Sequence, residues 1–234
     1  MDLRPSFPAD FRLFLASQSP RRHSLLRDIG VPYEVVTTNA EETVGGDAAV
    51  VLATWNAVAK VRQAALPRGS CDGAFVLGTD TLVTVDGRVM GKPSSRADAV
   101  DMISALSGRT HQVISGVALR RIVAEGEPAV GRGPAGAPAP DESRAAGGGP
   151  GELLRVATAT TDVTFLRLEE AQIEAYLASG EWTDKAGAYG VQGLAGTFVS
   201  EMRGEYSNVV GLPLCLLARL FREAGFDLLR RQWL

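Results

Sequence analysis

Residues 13–26 read LFLASQSPRRHSLL, and the order of residue types in this stretch sets the kind of fold the chain can adopt. Leu13, Phe14 and Leu15 suit a buried strand. Ser17 to Ser19 break it, and Ser19-Pro20 starts a helix, with Ser19 as N-cap and Pro20 in the first turn. Leu25, Leu26 and Ile29 mark the buried face of that helix, and Gly30 ends it. Such a helix start leaves backbone N–H groups free, and Ser17, Ser19, Arg21 and Arg22 add hydroxyls and guanidinium forks beside them. That is a place to hold phosphates. It is equally a capped surface helix with two solvated arginines, and these residues alone leave both readings open.

On the C-terminal side of this unit the elements alternate. Tyr33 to Thr37 is expected as a strand, followed by a turn carrying the adjacent carboxylates Glu41 and Glu42. Residues 47–66 are expected as an alanine-rich helix with Leu52, Trp55 and Ala59 on its apolar face and Lys60 flanking it, the usual place of a snorkelling lysine. Ala74 to Leu77 is apolar, breaks into Gly78-Thr79-Asp80-Thr81, and resumes as Leu82 to Val85 before the hairpin signal Asp86-Gly87. Asp80 therefore lies within sheet, where a carboxylate needs a partner or a purpose. Lys92 follows the returning strand, a helix is expected from Arg96 to Ser107, and residues 110–123 alternate as a strand. Further helices are expected at 169–179 and after Pro213, with a last strand from Thr197 to Met202. Between helix and strand, residues 184–193 form a small, glycine-rich loop that lets backbone approach a ligand.

Residues 124–152 depart from this pattern. They are rich in glycine, proline and alanine without periodicity and cannot bury enough apolar surface to offset ordering. The expectation is a flexible insertion joining two antiparallel strands within one domain spanning 1–234, because TTDVTF at 160–165 resumes the sheet.

Composition narrows the function classes. A chain of 234 residues with 45% hydrophobic content can bury a full core. Its formal net charge of −3 provides no basic field for nucleic acid or a membrane surface, so a positive site has to be a local cluster. No apolar run reaches the length of a membrane span and no h-region opens the chain, so a cytoplasmic protein is expected. Cys71 and Cys215 lack metal spacing and read as reduced thiols, Cys215 in the core. His23 and His111 read as structural, and neither serine has the neighbours of a covalent mechanism.

Several blocks in fixed order resemble the Maf family of nucleoside triphosphate pyrophosphatases, once described as septum-formation proteins. They are LASQSPRR, GTDTLVTVDGRVMGKP at 78–93, LSGRTHQVISGVAL at 106–119, TTDVTF, GEWTDKAGAYGVQG at 180–193 and YSNVVGLPL at 206–214. The resemblance implies an α/β fold of the Maf/ITPase kind, a mixed, twisted sheet flanked by helices in two lobes around a central cleft. It also implies release of pyrophosphate from a nucleoside triphosphate, assisted by Mg²⁺ or Mn²⁺, with Asp80 taking the proton of the attacking water. Glu42 and Asp80 would hold the metal, and Ser17, Arg21, Arg22, Lys60, Lys92 and Lys185 would bind substrate. The mix suits the chemistry, since phosphoanhydride cleavage needs cations on the phosphates and carboxylates for a metal and a water.

Within the resemblance, Arg21, Thr81 and Gln192 match the branch that hydrolyses dTTP and UTP, and the tryptophan of the 7-methyl-GTP branch is missing from the position of Arg21. A glutamine amide offers one donor and one acceptor, matching O4 and N3–H of uracil or thymine, although Gln192 could instead satisfy loop backbone. Two rival functions are a nucleotide-binding regulator of cell division without turnover, which would have no need of Asp80, and a pyrophosphatase for modified purine triphosphates. The expected partner is the nucleotide alone, with no nucleic acid and no membrane, and a homodimer is compatible with the sequence.

Overall fold

A computed structural model describes residues 5–43, 48–69, 71–122 and 152–234. The elements follow in the order β1 (Leu13–Leu15), α1 (Pro20–Asp28), β2 (Glu34–Val35), α2 (Ala49–Arg62), β3 (Phe75–Val85), β4 (Arg88–Met90), α3 (Arg96–Leu106), β5 (Thr110–Ile122), β6 (Glu152–Phe165), α4 (Glu170–Ala178), β7 (Val199–Arg203), α5 (Tyr206–Val210), α6 (Leu214–Glu223), β8 (Phe226–Asp227) and β9 (Gln232–Trp233). The fold is α/β. Seven strands form one mixed sheet in the order β2-β1-β3-β5-β6-β7, with β4 pairing β3 off that path. β1 runs parallel to β2 and β3, and the remaining pairs are antiparallel.

The topology of β3 decides where a site can form. Along one edge it pairs with β5 almost throughout, from Phe75 to Thr84. Along the other edge β1 pairs only with Phe75 to Leu77, and β4 only with Val83 to Val85. Residues 78–82 lie between them with no strand neighbour on that edge among the described residues, and Asp80 is at the middle of this gap. The apolar run is therefore one continuous strand, where the sequence suggested a break at Gly78 to Thr81. What breaks is the neighbour.

Side chains alternate along β3, so Phe75, Leu77 and Val83 face away from α2 while Val76 and Leu82 face toward it. On the face away from α2 the core has two parts. One gathers Leu13, Leu15, Phe75, Leu77, Val117 and the buried side of α6; the other gathers Val83, Val113, Val163 and Phe165 with α3 and α4. Thr79, Ser115 and Thr161, all fully buried, fall on the sheet between the two parts. The two lobes are these two cores on one sheet.

Several local expectations shift. The second strand is reduced to Glu34–Val35, and residues 194–198 form a 3₁₀ turn that delays the last strand to Val199. The long helix is Ala49–Arg62, and its buried face is Leu52, Ala53, Asn56, Ala57, Lys60 and Val61, so Trp55 is 57% exposed. Cys215 is exposed, because Leu216, Leu217, Leu220 and Phe221 take the inner face of α6. Ser19 stands at the N-cap of α1 without a side-chain capping bond; Ser17 Oγ accepts from the Ser19 N–H at 3.2 Å instead. α5 and the β8–β9 hairpin carry too little periodic pattern to be read from sequence. The expected insertion at 124–152 lies outside the described residues except for Glu152, which opens β6 opposite Ile122 of β5.

Candidate active site

Helix α2 reaches the strand gap because two glycines let it. A Cβ on Gly78 would stand 2.6 Å from the Ala57 carbonyl, and one on Gly116, the cross-strand partner of Asp80, would stand 2.2 Å from that of Ala53. Any larger residue at either position would push the helix off the sheet. With the helix seated this closely, Asn56 and Lys60, one turn apart on its buried face, both meet Asp80.

The result is a buried polar cluster with few atoms to spare. Asp80 is 4% exposed and Lys60 5%. Lys60 Nζ donates to Asp80 Oδ1 at 2.7 Å, to Glu42 Oε1 at 2.7 Å and to the Thr79 carbonyl at 3.2 Å, which uses all three of its protons. Asn56 Nδ2 donates to Asp80 Oδ2 at 2.8 Å. Lys92 Nζ reaches Glu42 Oε2 at 3.4 Å from the rim. Burial would raise the Glu42 carboxyl, but the charges and hydrogen bonds of Lys60 and Lys92 outweigh it and bring the pKa down to about 2.

The other side of the gap comes from α1 and the residues before α6. Arg22 is buried and donates from Nε to the Gly211 carbonyl at 2.8 Å, from Nη1 to Ser17 Oγ at 3.0 Å and from Nη2 to Thr81 Oγ1 at 3.3 Å. Burial lowers its pKa, Asp80 and Glu42 act against that, and Arg21 adds to it. Thr81 Oγ1 also shares a hydrogen bond with Ser115 Oγ at 2.8 Å, and Ser115 in turn reaches the Asn208 carbonyl at 3.5 Å. Arg22 thus ties the first turn of α1 to β3 and to the loop after α5.

Arg21 points outward and donates to the Asp184 carbonyl at 3.2 Å. Lys185 bends back onto the carbonyls of Glu181 and Thr183 in its own loop. Its pKa is lowered by burial first and by Arg21 second, against Glu181 and Asp184. Gln192 is exposed on the cleft wall, and its amide makes no hydrogen bond with a described residue. The loop beneath it is anchored more firmly. Tyr189 Oη bonds His111 Nε2 at 2.8 Å, Tyr176 Oη donates to the Ala188 carbonyl at 3.1 Å, and the Gly187 N–H donates to the Gly91 carbonyl at 3.0 Å. Burial brings the His111 imidazole down to about 4, which keeps it neutral at ordinary pH and consistent with a structural role. His23 is likewise held, by Tyr33 Oη at 3.0 Å and the Ser17 carbonyl at 3.1 Å.

All the residues singled out from sequence, namely Ser17, Arg21, Arg22, Glu42, Lys60, Asp80, Thr81, Lys92, Lys185 and Gln192, line one cleft of about 490 Å³. Two of them are largely engaged within the protein: Lys60 has all three protons on protein acceptors, and Arg22 has three of its five N–H donors there. Asn56 was not foreseen. Its only signal in the sequence is that it precedes Lys60 by one helical turn.

A family model described as Maf-like protein matches residues 12–224. The chain belongs to the Maf-like protein family. A dTTP/UTP pyrophosphatase of Symbiobacterium thermophilum is 39% identical over 218 residues, covering 93% of this chain and 96% of that protein. One from Bacillus anthracis is 36% identical over 223 residues, covering 92% and 97%. Among solved structures, the Staphylococcus aureus Ham1 protein overlaps 66% of this chain and 71% of its own at 15% identity and a TM-score of 0.36, a likeness too loose to carry an argument. The Maf-like blocks coincide with the gap in β3, the first turn of α1 and the loop at 184–193, the same elements that build the cleft.

Proposed function

We propose that this Maf-like protein hydrolyses dTTP and UTP to the nucleoside monophosphate and pyrophosphate. The single observation that carries the reading is Asp80, a carboxylate held by two donors where one edge of β3 lacks a strand neighbour, in a cleft that also presents Arg21, Arg22 and Lys92. Relatives at 36–39% identity that bear the name dTTP/UTP pyrophosphatase support it. The triphosphate lies against the first turn of α1, where Arg21 and the unspent N–H groups of Arg22 neutralise it, with Lys92 at the rim. Lys185 joins them by leaving the carbonyls of its own loop. Water attacks the α-phosphorus, the bond to the α–β bridging oxygen breaks, and Asp80 accepts the water's proton through a free lone pair.

The carboxylates also fit a divalent metal. Mg²⁺ commonly takes one or two carboxylates together with substrate phosphates and waters, and Glu42 and Asp80 each keep acceptor capacity beside the donors already present. Among the described residues no group of three or more histidine, cysteine or carboxylate side chains could hold a metal ion, so the phosphates have to complete the coordination. When bound, Mg²⁺ or Mn²⁺ screens the phosphates and lowers the pKa of a bound water. Glu42 suits this, since its carboxyl stays ionised far below neutral pH.

Gln192 reads the base through its amide, with Arg21 and Thr81 shaping that end of the cleft. No helix among the described residues is long and apolar enough to cross a membrane, and a cytoplasmic location belongs to the proposal, supported by the nucleotide substrate it names. Pyrophosphate release from a panel of triphosphates with Mg²⁺ or Mn²⁺ tests the reading. dTTP and UTP should exceed CTP and the purines by about tenfold or more in kcat/KM, the scale of one lost hydrogen-bonded pair. A preference for 7-methyl-GTP, or no release from any member of the panel, would overturn it.

A further inference from the structure

We infer that Asn56 is a positioning residue for this reaction, fixing the rotation of the Asp80 carboxylate and the seat of the Glu42 loop with one amide; the inference rests on the hydrolytic reading above. Asn56 is 2% exposed and spends its whole amide on the site. Nδ2 donates to Asp80 Oδ2 at 2.8 Å and to the Thr43 carbonyl at 3.0 Å, while Oδ1 accepts from the Thr43 N–H at 2.9 Å. The partners fix which way the amide points. A flipped amide would set its oxygen against a carboxylate and a carbonyl, and its NH₂ against an N–H.

Asn56 and Lys60 meet the same carboxylate from one face of α2, but they do different work. Lys60 brings a charge and holds Oδ1. Rotation of an aspartate about its last bond is soft and roughly two-fold, so a single contact on Oδ1 leaves Oδ2 free to swing. The Asn56 donor on Oδ2 stops that swing and carries no charge, so what it contributes to Asp80 is direction. It decides which lone pair of Asp80 faces the cleft, where an error of about an ångström can cost a hundredfold in rate. Its second clamp is on Thr43, the residue after Glu42, so the same amide sets the distance between the two carboxylates of the site.

Two variants of similar size probe these tasks. Asn56→Leu removes every contact without adding charge and carries the test of kcat, whereas Asn56→Asp keeps an acceptor for the Thr43 N–H, loses the donors to Asp80 and to the Thr43 carbonyl, and sets a second carboxylate against Asp80. Both should lower kcat for dTTP by about ten- to a hundredfold, with KM and the affinity for a non-hydrolysable dTTP analogue nearly unchanged. Hydrogen exchange at the Thr43 amide should accelerate in Asn56→Leu far more than in Asn56→Asp, while the amides of β5 stay protected in both. Asn56→Ser, too short to reach Asp80, should show the same loss of kcat and serves if either larger variant fails to fold. Wild-type kcat in folded variants would overturn the inference, as would a parallel loss of kcat and analogue affinity. If the wild-type protein itself releases no pyrophosphate, the hydrolytic reading fails, and the contrast in Thr43 exchange still reports whether the clamp exists.

Discussion

The two walls of the cleft are built on opposite principles. On the α2 side, Asp80, Lys60, Asn56 and Glu42 satisfy one another, and three of the four are almost wholly buried. On the far side only Arg22 is buried and held in this way; Arg21 is partly exposed, Gln192 is exposed with its amide unheld among the described residues, and Lys185 rests on carbonyls of its own loop. A buried network in low dielectric keeps its geometry, since any change strands a charge or a donor. A rim of long side chains can rearrange around what arrives. In the proposed reaction the chemistry belongs to the rigid wall and recognition to the adaptable rim.

The sharpest way to break this comparison is Asp80→Asn. It keeps the shape of the side chain and removes the proton acceptor, so turnover should fall by about 10²–10⁴-fold, the usual worth of a general base. Nucleotide binding and a cooperative thermal melt should persist. Turnover near the wild-type level would remove Asp80 from the mechanism.

Lys60→Met should act first on stability. It leaves two carboxylates facing each other, one of them buried, and removing one partner of a buried pair costs about 3–5 kcal/mol. Urea denaturation should show the midpoint moving without much change in slope. A loss near zero would mean that the rigid wall is no more tightly built than the rim.

The smallest effect belongs to the adaptable wall. Gln192→Leu should leave the melt unchanged and cut dTTP turnover by about tenfold, more than that of poor substrates, which flattens the panel. An equal loss for every nucleotide would show that Gln192 supports the loop and does not read the base.

Much of the site was legible because it is made of short blocks. Strand, turn and helix at 13–26, the hairpin turn at Asp86-Gly87 and the loop at 184–193 are local patterns, and Asp86 and Gly87 do take the left-handed conformation that such a turn needs, with φ of 49° and 78°. The long-range features were not. Leu52, Trp55 and Ala59 make a plausible apolar stripe on a helical wheel, yet Trp55 faces outward. No local rule says that a helix will be rotated to bring an asparagine and a lysine inward.

The residue types and their spacing, by themselves, determined the alternation of strands and helices, the membership of the family and which polar residues would share a cleft. Tertiary structure alone decided which of them are buried and held and which stay at the rim. The hydrogen-bonding capacity of Lys60 is spent only because Gly78 and Gly116 admit α2 to within contact of the sheet, and the edge of β3 beside Asp80 lacks a strand neighbour only because β1 ends before it and β4 begins after it. Both facts depend on what lies across space from a residue, and a donor or a strand edge has no free or occupied state until its neighbours are in place.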